Sequence, residues 1–285
     1  MIRTGLIAEV RAVVGEERQR GKKIAIVPTM GYLHRGHLSL VEEAKRDHAF
    51  VVMSIFVNPL QFGPQEDFGR YPRDLERDSA LAAEAGVDLL FNPPLEEMYP
   101  EPMLTLVEVK ELDSVLCGRS RPGHFRGVVT VVTKLFNIVQ PDLAYFGQKD
   151  YQQVQIIKRM VRDLNMPLDV RTVAIARAED GLALSSRNVF LSPQQRAEAV
   201  VLNRSLEEGA AAIRGGERDA RTLEELIRTR INAESSGEID YVEVRGATDL
   251  KDVTETEGPV VIAVAVRFGA TRLIDNKVIE VGTDV

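Results

Sequence analysis

The stretch PTMGYLHRGH, residues 28–37, sets two of the chain's 4 histidines, His34 and His37, on either side of Gly36. A spacing of three is close to one helical turn, so both imidazoles lie on one face of a helix that begins there. The apolar run before the stretch reads as a buried strand, and the glycine-bearing turn therefore leads from strand into helix. Such a helix start offers unpaired backbone N–H groups and the positive end of the helix dipole, a setting that favours anions. Phosphate is the ligand that paired imidazoles and free amides suit together. The turn contains neither G-x-G-x-x-G nor G-x-x-x-x-G-K-[ST], the common dinucleotide and P-loop patterns. Zinc is disfavoured, because no third ligand follows at helical spacing.

Other stretches add polar groups of defined chemistry. FVNPLQF (56–62) places Asn58 and Gln61 beyond a strand that Pro59 ends. Uncharged amides there either hydrogen-bond a substrate hydroxyl or carboxylate, or are simply solvated. Gln153, on a later helix, offers a second amide. In GQKD (147–150), Gly147 permits close backbone approach to a ribose, Asp150 can accept from its hydroxyls, and Lys149 is a point charge for a phosphate. SSRN (185–188) presents Ser185, Ser186 and Arg187 either to phosphates from the opposite side or to solvent. Arg119, Arg121, His124 and Arg126 gather around PGHFRG, which fits an anionic ligand and a salt-bridged surface equally well. Asp78, in YPRDLERD, is by spacing alone a helix-surface carboxylate.

The elements that must carry these groups follow from periodicity. Strands are expected at 22–29, 50–57, 87–93 and 143–146. Helices are expected at 38–46, 73–86, 128–139 and 151–165, and the N-terminal 23 residues read as an amphipathic helix. The alternation predicts a Rossmann-like, doubly wound α/β sheet over residues 1–175, with ligands beyond the carboxyl ends of its strands. Beyond it the pattern changes. Residues 193–235 read as helices with RGGERD as a turn. IDYVEVR, VVIAVAVRF and RLIDN then read as strands of a small antiparallel sheet. A smaller C-terminal α+β domain is expected over 176–285.

Composition narrows the function classes. The 285 residues carry a net charge of −7, a poor footprint for a general nucleic-acid binder. No apolar run approaches the ~18 residues of a membrane span, and the N-terminus has no signal-peptide pattern. The single cysteine, Cys117, excludes an internal disulfide and a cysteine-rich zinc site, and it fits a reducing cytoplasm.

With these stretches assembled, the H-x-G-H turn resembles the signature of the nucleotidyltransferase superfamily, which includes the class I aminoacyl-tRNA synthetases. PTMGYLHRGH, FVNPLQF, RPGHFRGV, FGQKDYQQ and DGLALSSRN, in that order, are similar to the pantothenate synthetase (pantoate–β-alanine ligase) family over nearly the whole chain. The resemblance implies an enzyme of pantothenate, and so coenzyme A, biosynthesis that condenses (R)-pantoate with β-alanine. ATP is consumed through a pantoyl adenylate, with release of AMP and pyrophosphate. It implies ATP contacts from Met30, Gly31, Tyr32, Leu33, His34, Arg35, Gly36 and His37, from Gly147, Gln148, Lys149 and Asp150, and from Ala176, Leu184, Ser185, Ser186 and Arg187. Of these, His37, His34, Lys149 and Arg187 are the catalytic candidates. Pantoate falls to Gln61 and Gln153, with Asn58 beside them, and Gln61 also borders β-alanine. Asp78 becomes the candidate for a Mg²⁺ site, and a homodimer is implied. Ala176 departs from the family pattern, which usually has a larger aliphatic residue against the adenine. A simple nucleotidylyltransferase shares H-x-G-H, but the two amides favour a carboxylate and hydroxyl acceptor. An RNA-binding relative of the synthetases is disfavoured by the acidic balance.

Overall fold

The computed structural model describes residues 1–64 and 66–280. In chain order the first half contains β1 (Ile2–Thr4), α1 (Ile7–Gln19), β2 (Ile24–Thr29), α2 (Arg35–Arg46) and β3 (Phe50–Ile55). It continues with α3 (Leu75–Glu84), β4 (Leu89–Phe91), α4 (Leu95–Met98), α5 (Leu116–Ser120), α6 (His124–Val139), β5 (Leu143–Gly147), α7 (Tyr151–Asp163) and β6 (Asp169–Val173). Its six strands form one parallel sheet in the order β1-β4-β3-β2-β5-β6. The chain winds one way from β2 to β3 and the other way to β5. The crevice beyond the carboxyl ends of β2 and β5 is thus the topological switch point of the sheet.

Burial on both faces explains why β2 and β3 are almost continuously apolar. Ile24, Ile26, Phe50 and Val52 face a core with α1, α6 and α7. Ala25, Val27, Val51 and Met53 face the opposite side, against Leu40, Val41 and Ala44 of α2. The β-branched run 128–139 is helical as expected, inside the longer α6. Gly127 is required within it, because a Cβ there would lie 2.2 Å from the carbonyl oxygen of Leu60.

Two expectations are revised and one strand is added. The N-terminal segment is not one helix: it opens with the three-residue strand β1, which is too short to show a period and pairs with β4. Helix α2 starts at Arg35, not at 38, because His34 caps it. Strand β6, which sequence periodicity does not single out, pairs with β5 and ends at Val173, so residues 174–177 leave the sheet for the site.

The second half contains α8 (Pro193–Glu198), α9 (Val201–Arg214), α10 (Ala220–Glu234), β7 (Glu238–Gly246), β8 (Val260–Phe268) and β9 (Thr271–Ile279). The three strands pair antiparallel in the order β7-β8-β9. Val242, Val244, Val260, Ile262, Val264 and Val266 pack on α9 and α10. Tyr241, Val261, Ala263 and Ala265 join the core of the parallel-sheet half. Alternate side chains of a strand point to opposite faces, so the small sheet is sandwiched between its own helices and the first half.

Candidate active site

Two adjoining hollows lie at the switch point. The smaller, about 210 Å³, is lined by Met30, His34, His37, Gln61, Lys149 and Ser186, among others. The larger, about 600 Å³, lies between the two halves, and Arg121, His124, Lys149, Asp150, Gln153, Ser185 and Arg187 border both. Together they offer the volume a nucleotide-sized ligand needs.

The 28–37 turn is held by short-range bonds at its histidines and by longer-range bonds at Thr29, Tyr32 and Leu33. Gly31 and Tyr32 have positive φ, 85° and 51°, which aims successive amides inward. The Thr29 hydroxyl accepts from Gly31 N at 3.2 Å and donates to the Ser54 carbonyl at 2.7 Å. His34 Nδ1 accepts from Gly36 N at 3.1 Å, and His37 Nδ1 accepts from His34 N at 3.3 Å. This reciprocal cap has the logic of a capping box, with imidazoles in place of a hydroxyl and a carboxylate. It also selects the tautomer. With each Nδ1 an acceptor, each proton sits on Nε2, and neither Nε2 has a protein partner among the described residues. Desolvation lowers the pKa of both rings, that of His34 to about 4, with Lys149 adding repulsion. At neutral pH the pair is therefore two uncharged donors, with centroids 4.0 Å apart.

The amides differ in their roles. Asn58 is 1% exposed and fully committed: Nδ2 donates to Gln61 Oε1 and the Gly127 carbonyl, both at 3.1 Å. Its Oδ1 accepts from Tyr99 OH at 2.8 Å and Leu60 N at 3.3 Å. The expectation that Asn58 touches substrate is thereby corrected: it orients Gln61, whose Nε2 lies 3.2 Å from Met30 Sδ at the groove. The backbone carbonyl of Gln61 is fixed by His124 Nδ1 at 2.8 Å. Gln153 borders both hollows, with its side chain in no hydrogen bond among the described residues.

Lys149 and Asp150 stand where β5 meets α7, with Lys149 Nζ 3.3 Å from Asp150 Oδ1. A Cβ on Gly147 would meet nothing within 4 Å, so the approach to that backbone is open. Residues 176–184 form a narrow hairpin that delivers Ser185, Ser186 and Arg187 to the other side of the groove. Ser185 caps the following 3-10 turn, and Ser186 donates to the Tyr32 carbonyl at 3.2 Å. Arg187 does not stand free: Asp67 takes its guanidinium in a bidentate pair at 2.8 and 3.0 Å. Beside it Glu66 holds Arg121 the same way, at 2.6 Å twice. Burial would raise both carboxyls, but the arginines outweigh it and leave both lowered. Arg119 is likewise taken up by Glu243. The basic group around PGHFRG is thus mostly the salt-bridged alternative. Glu66 and Asp67 escape sequence reasoning, since nothing in GPQEDFG marks them as partners of residues so distant.

Two nucleotide-site expectations are narrowed. The Arg35 side chain is exposed and paired with Glu42 at 2.7 Å, and the Leu33 side chain is core, leaving only their backbones near the groove. Ala176 lies against Gly36, where a Cβ would come within 3.6 Å of its own Cβ. The Asp78 expectation is corrected. Asp78 is 1% exposed, and its two oxygens accept from Tyr32 N at 2.6 Å and Leu33 N at 2.7 Å. Burial raises its pKa despite these donors. Its carboxylate holds the turn in its positive-φ form and does not fit as a magnesium ligand. No cluster of three or more metal-binding side chains exists among the described residues.

The sequence matches the family model described as pantoate-beta-alanine ligase over residues 3–278. The chain belongs to the pantoate–β-alanine ligase family. The pantothenate synthetase of Desulfitobacterium hafniense is 67% identical over 274 residues, 96% of this chain and 97% of that protein. That of Pelotomaculum thermopropionicum is 57% identical over 279 residues, 98% of this chain and 99% of that one. The crystal structure of pantothenate synthetase from Thermus thermophilus superposes with a TM-score of 0.93 at 49% identity, covering 99% of each chain. A pantoate-beta-alanine ligase from Francisella tularensis, complexed with beta-gamma ATP and beta-alanine, gives a TM-score of 0.80 at 34% identity, with 97% of each chain covered. Ligase-family membership fits a groove that joins two uncharged N–H donors to a buried amide. No helix among the described residues is long and apolar enough to cross a membrane.

Proposed function

We propose that this chain condenses (R)-pantoate with β-alanine at the expense of ATP, through a pantoyl adenylate. One observation carries the reading: two neutral imidazoles with free Nε2–H groups open on the same groove as the oriented amide of Gln61. Neutral N–H donors fixed by backbone amides suit charge that develops on phosphoryl oxygens, because they need no reorganisation when it appears. His34, His37, Lys149, Ser185 and Ser186 serve the triphosphate, and Arg187 joins them once it leaves Asp67. Gln61 and Gln153 hold pantoate.

The pantoate carboxylate attacks the α-phosphorus in line, and pyrophosphate departs. The β-alanine amine then attacks the acyl carbon, and AMP departs. Positioning and electrostatics suffice for both displacements. The space between the halves shields the acyl adenylate from water. Mg²⁺ enters as the counter-ion of ATP, and no residue of the chain is assigned to it. Homodimerisation and a cytoplasmic setting belong to the same reading, supported by the family and by a free, buried Cys117. Light scattering tests the former.

The deciding experiment measures AMP release from ATP, pantoate and β-alanine, omitting each in turn. Pyrophosphate exchange into ATP that requires pantoate but not β-alanine is expected, with ¹⁸O passing from the pantoate carboxylate to AMP. Release of ADP, with the label in inorganic phosphate, would overturn the adenylate.

A further inference from the structure

Strand β9 contains two consecutive buried polar residues, Asp275 at 2% and Asn276 at 3% exposure. The segment RLIDN reads in the sequence only as a strand; in the fold both residues line the larger hollow, where no role has yet been given to them. An ionised carboxylate and an amide are costly to bury unless every polar atom is paired. Here they are paired, and the partners lie in the loops that carry Lys149 and Ser185–Arg187.

Asn276 Nδ2 donates to the carbonyls of Gln148 and Lys149, both at 3.0 Å, and its Oδ1 lies 3.3 Å from Gln148 Nε2. The 3-10 turn Gln148–Asp150 has no side-chain cap of its own. Its carbonyl directions, and so the place where Lys149 stands, depend on this amide. Asp275 Oδ2 and Oδ1 accept from Arg177 Nη1 at 2.6 Å and Nη2 at 2.9 Å, and Oδ1 also accepts from Asn276 N at 2.8 Å. Arg177 Nη1 in turn donates to the Gly181 carbonyl at 3.1 Å, across the turn of the 176–184 hairpin. Within the hairpin the backbone bonds are Ala178 N to Leu182 O, Leu184 N to Ala176 O and Gly181 N to Ala178 O, each 2.9 Å. From outside it is held by this guanidinium–Asp275 pair, by Arg196 on Asp180, and by Asn188 on the Ala183 carbonyl.

We infer that Asp275 and Asn276 are positioning residues for the adenylation step, a pair of neighbours on one strand that sets the distance between Lys149 and the Ser185–Arg187 segment. The inference rests on the reading above that both segments serve ATP. Successive strand residues point to opposite faces, so a dipeptide can reach two loops at once. Both side chains line the larger hollow with Gln153 but not the smaller one with Gln61, and among the described residues neither makes a hydrogen bond to either amide. Loss of the pair is therefore expected to act on the chemical step with ATP and to spare pantoate recognition.

The test uses the full chain with Asn276→Ala and Asp275→Asn, plus Asn276→Ser as a milder form should the alanine variant not fold. Pantoate-dependent pyrophosphate exchange, the pantoate KM, thermal melting and hydrogen–deuterium exchange of the free enzyme are measured. Misplacement of a catalytic group by about 1 Å costs on the order of 10²-fold, so exchange should fall about 10- to 100-fold with the pantoate KM within about twofold. Amide exchange should rise at 147–151 in the Asn276 variants and at 176–187 in Asp275→Asn, and stay unchanged at 30–37. Unchanged turnover, or equal losses in melting temperature, pantoate KM and turnover, would overturn the inference. A wild-type chain that makes no AMP from these substrates would fail the functional reading instead. The hydrogen-exchange pattern would then decide the positioning of the two loops alone.

Discussion

The two segments proposed to grip phosphate are built in different ways. At the histidine end of the 28–37 turn the bonds join residues two or three apart, as between His34 and Gly36 or His34 and His37, while Asp78 of the same half fixes Tyr32 and Leu33. The hairpin and turn from 176 to 187 are held from 98 and 120 positions away, by Asp275 on Arg177 and Asp67 on Arg187. The difference has a mechanical consequence. The bonds that aim His34 and His37 come from within the turn, so those two donors need no hydrogen bond from the second half. A segment tied to distant acids can exchange one partner for another, and Arg187 has a carboxylate where a phosphate is proposed to sit. The first region is preorganised; the second is adjustable.

The largest effect expected from this contrast is at the rigid turn. His37→Ala or His34→Ala should lower kcat about 10²- to 10³-fold, the cost typical of one preorganised donor. The fold should persist, by circular dichroism and melting, since these partly buried rings lie at the groove and outside the apolar cores. Near-normal turnover in His37→Ala would break the comparison at its stronger end.

The amide pocket comes next. Gln61→Ala and Gln153→Ala should weaken pantoate by roughly 1–3 kcal/mol, the cost of leaving a substrate group unpaired, and leave ATP nearly unaffected. Calorimetric titration with each ligand separates this from a general defect. Equal losses for both ligands would place the pocket elsewhere.

At the adjustable segment, Asp67→Asn should lower the ATP KM a few-fold, because Arg187 no longer has to leave a charged partner. Steady-state kinetics at low ionic strength give the clearest reading. A raised KM would mean that Asp67 supports the bound state rather than competing with phosphate.

The smallest effect is on stability. The folded pKa of His34 is lowered from 6.5 to about 4, so between those values the unfolded chain binds a proton that the folded chain refuses. The neutral ring's contribution is complete above pH ~6.5 and is lost as pH falls toward 4. Urea melts at pH 7.5 and 5.0 should show this slope, and His34→Gln should flatten it. An imidazole that titrates near 6.5 by NMR would contradict the buried, neutral pair.

The contrast also separates what is readable in one dimension. The H-x-G-H turn, the parallel sheet, the buried helix at 128–139 and the small antiparallel sheet all follow from residue spacing, because their contacts are local or periodic. Spacing alone misplaces Asn58, because only the fold brings Tyr99 and Gly127 to its amide and uses it up. By spacing, Asp78 is a surface carboxylate, and by resemblance one with a metal to hold. The packing of α3 against the turn makes it 1% exposed and gives both oxygens to backbone N–H groups.

The sequence by itself determined the H-x-G-H turn, the order of the elements and the family resemblance, since each rests on near neighbours or on periods of 2 and 3.6 residues. Tertiary structure alone decided which charges are free. Arg121 and Arg187 are indistinguishable from available cations until the chain folds and brings Glu66 and Asp67 against them. It also turned two polar residues of an ordinary-looking strand into the link between Lys149 and the hairpin. Hydrogen bonds and ion pairs act over about 3 Å, and that proximity across 98 to 128 positions is set by how sheets and helices pack rather than by spacing along the chain.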